Sequence, residues 1–360
     1  DSAQCLVGSE MCIRDRYKMN IFVYGPKGDP YHLGLWDEEY PTSLTEDERK
    51  RGVLTQDDIR ALAEESKKCN IDFVWVAHPA MQRRLDMSSN ATVDQEITNR
   101  LMPKFNSLYE LGVREFGIFM DAITIGEGLQ QRYTQPYLID RVQRRLYETY
   151  NTPDAAEEDK VKPLFYTPTW YTYGLGYADM QNQCMEAFKQ SNVHEDVVIC
   201  FTGDAVCGPI NNSSCENFAT RTGRKPCIWW NYPVNDLGRA SYVHMGPSQG
   251  LYPGVTNISG FTSNPMNQAQ ASKISLFSVA DYTWNTEDYD SQASWQASFT
   301  RVIRDDPEAA EALRIFSAHS SAGNNPFGVQ ESVYMREHLD AFQNALMNGE
   351  DLTQAAADLE

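Results

Sequence analysis

A (β/α)₈ TIM barrel is the fold class that this sequence predicts, on three observations. Seven short β-rich runs recur along the chain, a longer helical pattern follows most of them, and the runs are apolar on both faces. Doubly buried strands separated by helices imply a parallel sheet with right-handed crossovers. Repetition over about 265 residues suits a barrel better than an open sheet.

In chain order the predicted strands are IFVY (21–24), DFVWVA (72–77), EFGIFM (115–120), PLFYT (163–167), VVICF (197–201), PCIWW (226–230) and GFT (260–262). TQDD from Thr55 supplies a capping box ahead of Ile59 and Leu62, which places a helix start there. A second helical pattern runs from about Val93 to Leu111 and stops at Gly112, and others cover roughly 136–151, 179–190 and 265–280. The eighth strand is expected before residue 17, so the barrel reads as one lacking its first strand and helix. Residues 1–16 lack both a signal-peptide centre and a helical or strand period, and are expected to be a non-native or disordered leader. Their run CLVGSEMCIRDR resembles translated sequencing-adapter sequence. The barrel is assigned to 17–285, and the helix-rich texture of 286–360 predicts a small helical C-terminal region.

With 41% hydrophobic and 22% charged residues in 360, the chain can bury a full core. A formal net charge of −19 argues against nucleic acid, whose binding draws on Lys and Arg. No apolar run reaches the roughly 18 residues that a membrane span needs. The 19 Tyr and 7 Trp could stack on flat rings such as sugars. Eight Cys without a CxxC pair support neither a zinc ribbon nor a thioredoxin-type site; Cys207 and Cys215 could bridge a loop or remain free thiols. The six His are scattered, so no metal or other cofactor is expected, and His78 reads as a strand-end residue with a local hydrogen bond. NAT (90–92), NSS (212–214) and NIS (257–259) fit glycosylation acceptors, which matter only in a eukaryotic secreted chain.

In such barrels function collects where strands run into the following loops. Those positions hold Lys27, Asp121, Tyr171, Thr202 with Asp204, Trp229 with Asn231 and Asp236, and Asn264. One cation, carboxylates, two Asn and aromatics around one cleft would suit a neutral polyhydroxylated ring. Taken singly, Lys27 also suits a solvated loop lysine, and Asn264 before Pro265 could cap the next helix. TGD and WWN are weak motifs alone, because Gly-Asp makes turns and Trp pairs fill cores.

The longer motifs YGPKGDPYH, DFVWVAHP, LGVREFGIFMD, IWWNYPVND and SGFTSNPMNQAQASKISLFSVADYTWN resemble the catalytic domain of glycoside hydrolase family 84, from about Tyr17 to about Ala318. The resemblance implies a (β/α)₈ barrel followed by helices, acting on N-acetylglucosamine-containing glycoconjugates. Residue by residue, it implies that Lys27 bonds ring hydroxyls, that Asp236 and Asn264 hold the far hydroxyls, and that Asn231 sits by the reacting centre. Tyr171, Thr202, Val206 and Trp229 would shape the N-acetyl pocket. The family's first-strand Gly that contacts the sugar has no counterpart here.

The resemblance also implies substrate-assisted chemistry, in which the acetamido oxygen attacks the anomeric carbon and forms an oxazoline. Two adjacent acids serve it: one accepts the acetamido N–H, and its neighbour protonates the leaving oxygen. A gapless match from Leu111 puts the first role on Asp121 and the second on Ala122, which cannot donate a proton. That loss is worth roughly 10²–10⁴ in rate, and most with poor leaving groups. The loop has an extra residue near Ile125, and Glu127 is a conceivable substitute acid. Two classes therefore stand: an impaired β-N-acetylglucosaminidase, and a non-catalytic sugar-binding protein using the same pocket.

Overall fold

The computed structural model describes residues 17, 19–236, 242–321 and 330–359. All seven expected strands are present: β1 Ile21–Tyr24, β2 Asp72–Ala77, β3 Glu115–Phe119, β4 Phe165–Thr167, β5 Val198–Phe201, β6 Cys227–Trp230 and β7 Gly260–Ser263. Each pairs in parallel with the next in a single seven-stranded order, β1 to β7. The curled sheet and its helices make an α/β fold of TIM-barrel type. The leader 1–16 and the eighth strand expected before residue 17 lie outside the described residues.

Strand alternation sorts the side chains into two layers. Phe22, Phe73, Trp75, Phe116, Ile118, Tyr166, Phe201, Ile228 and Trp230 join helix residues such as Ile59, Leu62, Leu138 and Phe218 in one large cluster. The intervening positions Val74, Val76, Phe119, Phe165, Cys200 and Cys227 form a second cluster, with Val23 and Trp229 beside it. A period-two residue set cannot reach both layers, so the first packs under the helices and the second fills the concave side. Each large apolar side chain so buried contributes about 1.5–3 kcal/mol. Gly117 belongs to the concave layer, where a Cβ would meet Val76 Cγ2 at 2.9 Å. A side chain there would part β2 from β3.

Several boundaries differ from the expectation, for local reasons. The helix predicted from Val93 starts at Asn90, because the Ser89 hydroxyl accepts from Thr92 N–H and sets the cap before the first apolar residue. A π-helical segment, Ile97–Leu101, precedes the helix Met102–Glu110. Pro103 has no N–H and crowds the carbonyl four residues earlier, which explains the local widening. The helix predicted over 265–280 is Ala269–Trp284, so Asn264 is not its cap. Periodicity also missed the helix Asn212–Thr222, whose inward face is small and polar except for Cys215 and Phe218. Its Asn211 cap accepts from Ser214 N–H. Cys207 and Cys215 both remain thiols, which overturns the bridged alternative: Cys215 is buried in that helix, and Cys207 Sγ donates to Asn231 O.

Beyond the last strand, Ser291–Val302 and Pro307–Ala318 share a cluster of Met245, Ile274, Trp295, Phe299 and Ala310 with Ala269–Trp284. Helices Arg336–Asn348 and Thr353–Ala357 follow. No described helix is long and apolar enough to cross a membrane.

Candidate active site at the strand ends

Asp121 lies in the turn after β3, with its side chain only 12% exposed. Its Oδ2 accepts a 3.0 Å bond from Nζ of Lys27, which stands in the loop after β1 and is 48% exposed. Two elements far apart in sequence thus meet across the end of β2. The loop that carries Lys27 is anchored from below. Asp29 Oδ1 accepts from Tyr31 N–H at 2.9 Å, and its Oδ2 accepts from Tyr40 OH, which in turn accepts from Trp75 Nε1. Burial raises the Asp29 carboxyl to about 6, against the hydrogen bonds that favour its anion. Lys104, buried against the Tyr31, Tyr40 and Trp75 rings, is lowered by burial to about 7.

Beneath Asp121, the Phe119 ring lies 5.0 Å from Trp229 and meets the His78 ring edge-on at 5.6 Å. This places the ends of β2, β3 and β6 around one ring. Tyr171, after β4, is raised above the usual phenol range by burial and by the negative charge of Asp121. Its carbonyl accepts from Thr202 N–H at 2.8 Å, and Thr202 Oγ1 donates to Ala205 O. Val206, 37% exposed, accepts at its carbonyl from Asn231 Nδ2 at 2.7 Å. Asn231 Oδ1 accepts from Asn264 Nδ2 at 3.1 Å, and Asn264 N–H donates to Trp230 O. The candidate residues therefore form two linked sets, Lys27–Asp121–Tyr171–Thr202 and Val206–Asn231–Asn264, while Trp229 makes a tilted ring contact with Phe119. Asp236 is exposed, next to a buried Asn235 that donates to Tyr242 O and Gln268 Oε1. Asp204 accepts from the helix-capping Asn211.

Ala122 is exposed in the same turn. Glu127 is committed elsewhere: it completes the capping box of Ile125–Gln130 with Thr124 and pairs with Arg84 at 2.7 Å. The Arg84 bond holds its carboxyl below the usual range, which suits a poor proton donor. His78 departs from the sequence reading, since its hydrogen bond is not local: Nε2 meets Gly25 O, at the end of β1, at 3.0 Å. Its proximity to Asp121 was missed; the only signal was its place at a strand end in VAHP. Among the described residues no three His, Cys, Asp or Glu could hold a metal ion.

A parallel α/β barrel-type scaffold with a carboxylate, a cation, amides and aromatics along its C-terminal strand ends is the class defined by this fold and site. The sequence carries it further: the chain belongs to the β-N-acetylglucosaminidase family, NAGidase, glycoside hydrolase family 84, whose model matches residues 9–318. Protein O-GlcNAcase of Mus musculus and that of Rattus norvegicus are each 19% identical over 274 residues, 75% of this chain and 27% of theirs. The chain thus spans about a quarter of the length of these curated relatives. The solved structure of CpGH84D is 28% identical with a TM-score of 0.78, covering 98% of this chain and 54% of that one. CpGH84B is 26% identical with a TM-score of 0.72, over 99% and 58%. An O-GlcNAc hydrolase mutant of Thermobaculum terrenum shares the fold, with a TM-score of 0.76 and 22% identity over 99% and 71%.

Proposed function

We propose that this strand-end site binds terminal β-linked N-acetylglucosamine and belongs to a retaining, substrate-assisted glycoside hydrolase in which Ala122 has replaced the proton donor. The observation that carries the reading is the Lys27–Asp121 pair beside Tyr171, in a chain whose family is β-N-acetylglucosaminidase. Asp121 would accept the acetamido N–H, orienting the amide oxygen toward the anomeric carbon and balancing the charge that grows as the oxazoline closes. Lys27 would exchange its carboxylate partner for ring hydroxyls. Asn264 and Asp236 would take the far hydroxyls, and Asn231 would lie by the reacting centre. Tyr171, Thr202, Val206 and Trp229 would enclose the N-acetyl group.

Departure of the aglycone oxygen then lacks a general acid, so natural linkages are cut poorly and aryl glycosides with acidic leaving groups suffer less. Restoring the acid with Ala122→Asp should raise kcat on an aryl N-acetylglucosaminide by roughly 10²-fold or more. No gain in a folded sample would defeat the hydrolase reading. The commitment of Glu127 to Arg84 and Thr124 favours a second reading, a non-catalytic N-acetylglucosamine-binding protein. Calorimetric binding without turnover, even in Ala122→Asp, would select it. In either case we assign the barrel to 17–285 and a helical appendage to 286–360, with neutral N-acetylated glycoconjugates rather than nucleic acid as partners.

A further inference from the structure

The Asp121 carboxylate is held on one side only. Oδ2 takes the Lys27 ammonium, whereas Oδ1 is buried with no hydrogen-bond partner among the described residues. Nδ1 of His78 faces it at 3.9 Å and is likewise buried and unpartnered. The other ring nitrogen settles the tautomer. Gly25 O can only accept, so Nε2 carries the proton, and in the neutral ring Nδ1 is then a lone pair. Two acceptors confront each other at a separation too long for a hydrogen bond.

The ring is not free to turn away. A Cβ at Gly25 would lie 3.3 Å from His78 Nε2 and 3.0 Å from Val76 Cβ, so the glycine is what lets this carbonyl approach the imidazole. His78 N–H donates to His32 O at 2.9 Å, and Phe119 meets the ring edge-on. The titratable groups facing His78 are Asp121 from the turn after β3 and Lys27 and His32 from the loop after β1.

We propose that His78 is a positioning residue whose protonation gates Asp121. With the ring neutral, the undivided charge of the carboxylate remains for a ligand amide on the Oδ2 side. With Nδ1 protonated, His78 donates to Oδ1 and withdraws the carboxylate from the ligand. This rests on Asp121 being the amide acceptor. Burial pushes the His78 pKa down more strongly than Asp121 pulls it up, and burial keeps His32 well below the usual range. The closed state therefore belongs to the acid side of neutrality.

The test has two arms. Calorimetry with N-acetylglucosamine, which does not titrate here, should show affinity falling severalfold on acidification from pH 7.5 toward 5, against less than about twofold in His78→Gln. Nitrogen NMR of the ligand-free native protein should find the His78 proton on Nε2, and Asp121→Asn should lower the His78 pKa. Parallel pH curves for parent and His78→Gln, a proton on Nδ1, or a His78 pKa indifferent to Asp121→Asn would overturn the proposal. Absence of sugar binding at every pH would instead sink the functional reading, and the NMR arm would still decide this one.

Discussion

Strand β3 has an acid near each end, and the fold handles the two in opposite ways. Glu115, at its start, is 5% exposed, and its Oε2 has no hydrogen-bond partner among the described residues. Burial first, and the charge of Asp72 second, raise its carboxyl to about 8, only partly offset by Lys162. Asp121, just past the other end, has an ammonium on one oxygen and opens toward the loops. The contrast teaches that a barrel strand divides its labour by direction. Its N-terminal end is dry, and an acid there stays protonated at neutral pH; its C-terminal end meets polar loops that supply an acid with a charged partner.

The sharpest way to break this comparison is to remove each acid in turn from the Ala122→Asp background. Asp121→Ala should lower kcat on an aryl N-acetylglucosaminide by roughly 10²-fold, whereas Glu115→Gln should leave it within about threefold. Equal losses would mean that the two ends do not differ in function.

A smaller effect separates the ends by stability. Because the native pKa of Glu115 is raised above its ordinary value of 4.5, the folded protein holds a proton that the unfolded chain has lost between about pH 4.5 and 8. The favourable contribution of the protonated acid is therefore complete below pH 4.5 and is lost as pH rises toward 8. Glu115→Gln should match the parent near pH 5 and exceed it by on the order of 1–3 kcal/mol near pH 8, followed by thermal melting across that range. A gap that shrinks with rising pH would contradict the assigned protonation.

The mildest expected effect joins the two ends. Phe119→Leu keeps most of the apolar volume but deletes the ring contacts to His78 and Trp229, and should cost about 1 kcal/mol in thermal or denaturant unfolding. A loss of several kcal/mol would show that the ring supports the scaffold and not only the site.

Much of this was legible in advance. Six strand runs fall within two residues of the observed bounds at each end, and β7 extends one residue beyond its run, because apolar, β-branched stretches declare themselves locally. The Thr55 capping box was equally visible, being a contact between residues three apart. The helix Asn212–Thr222 was not, since Ser214 and Thr222 on its inward face hide the period. The cap alternative for Asn264 fails for a related reason: Asn before Pro suits several turns, and its amide donates instead to Asn231.

What the sequence determined by itself was the succession of strands and helices, the strand-end placement of Lys27, Asp121, Tyr171 and Asn264, and the alanine that follows the aspartate. Those are properties of neighbours along the chain. The tertiary structure alone decided that Lys27 meets Asp121, that His78 turns a lone pair toward the same carboxylate, and that Glu115 holds its proton. Each depends on which residues of other strands surround the group, and so on the distance and dielectric that set electrostatic energies, which local patterning does not encode.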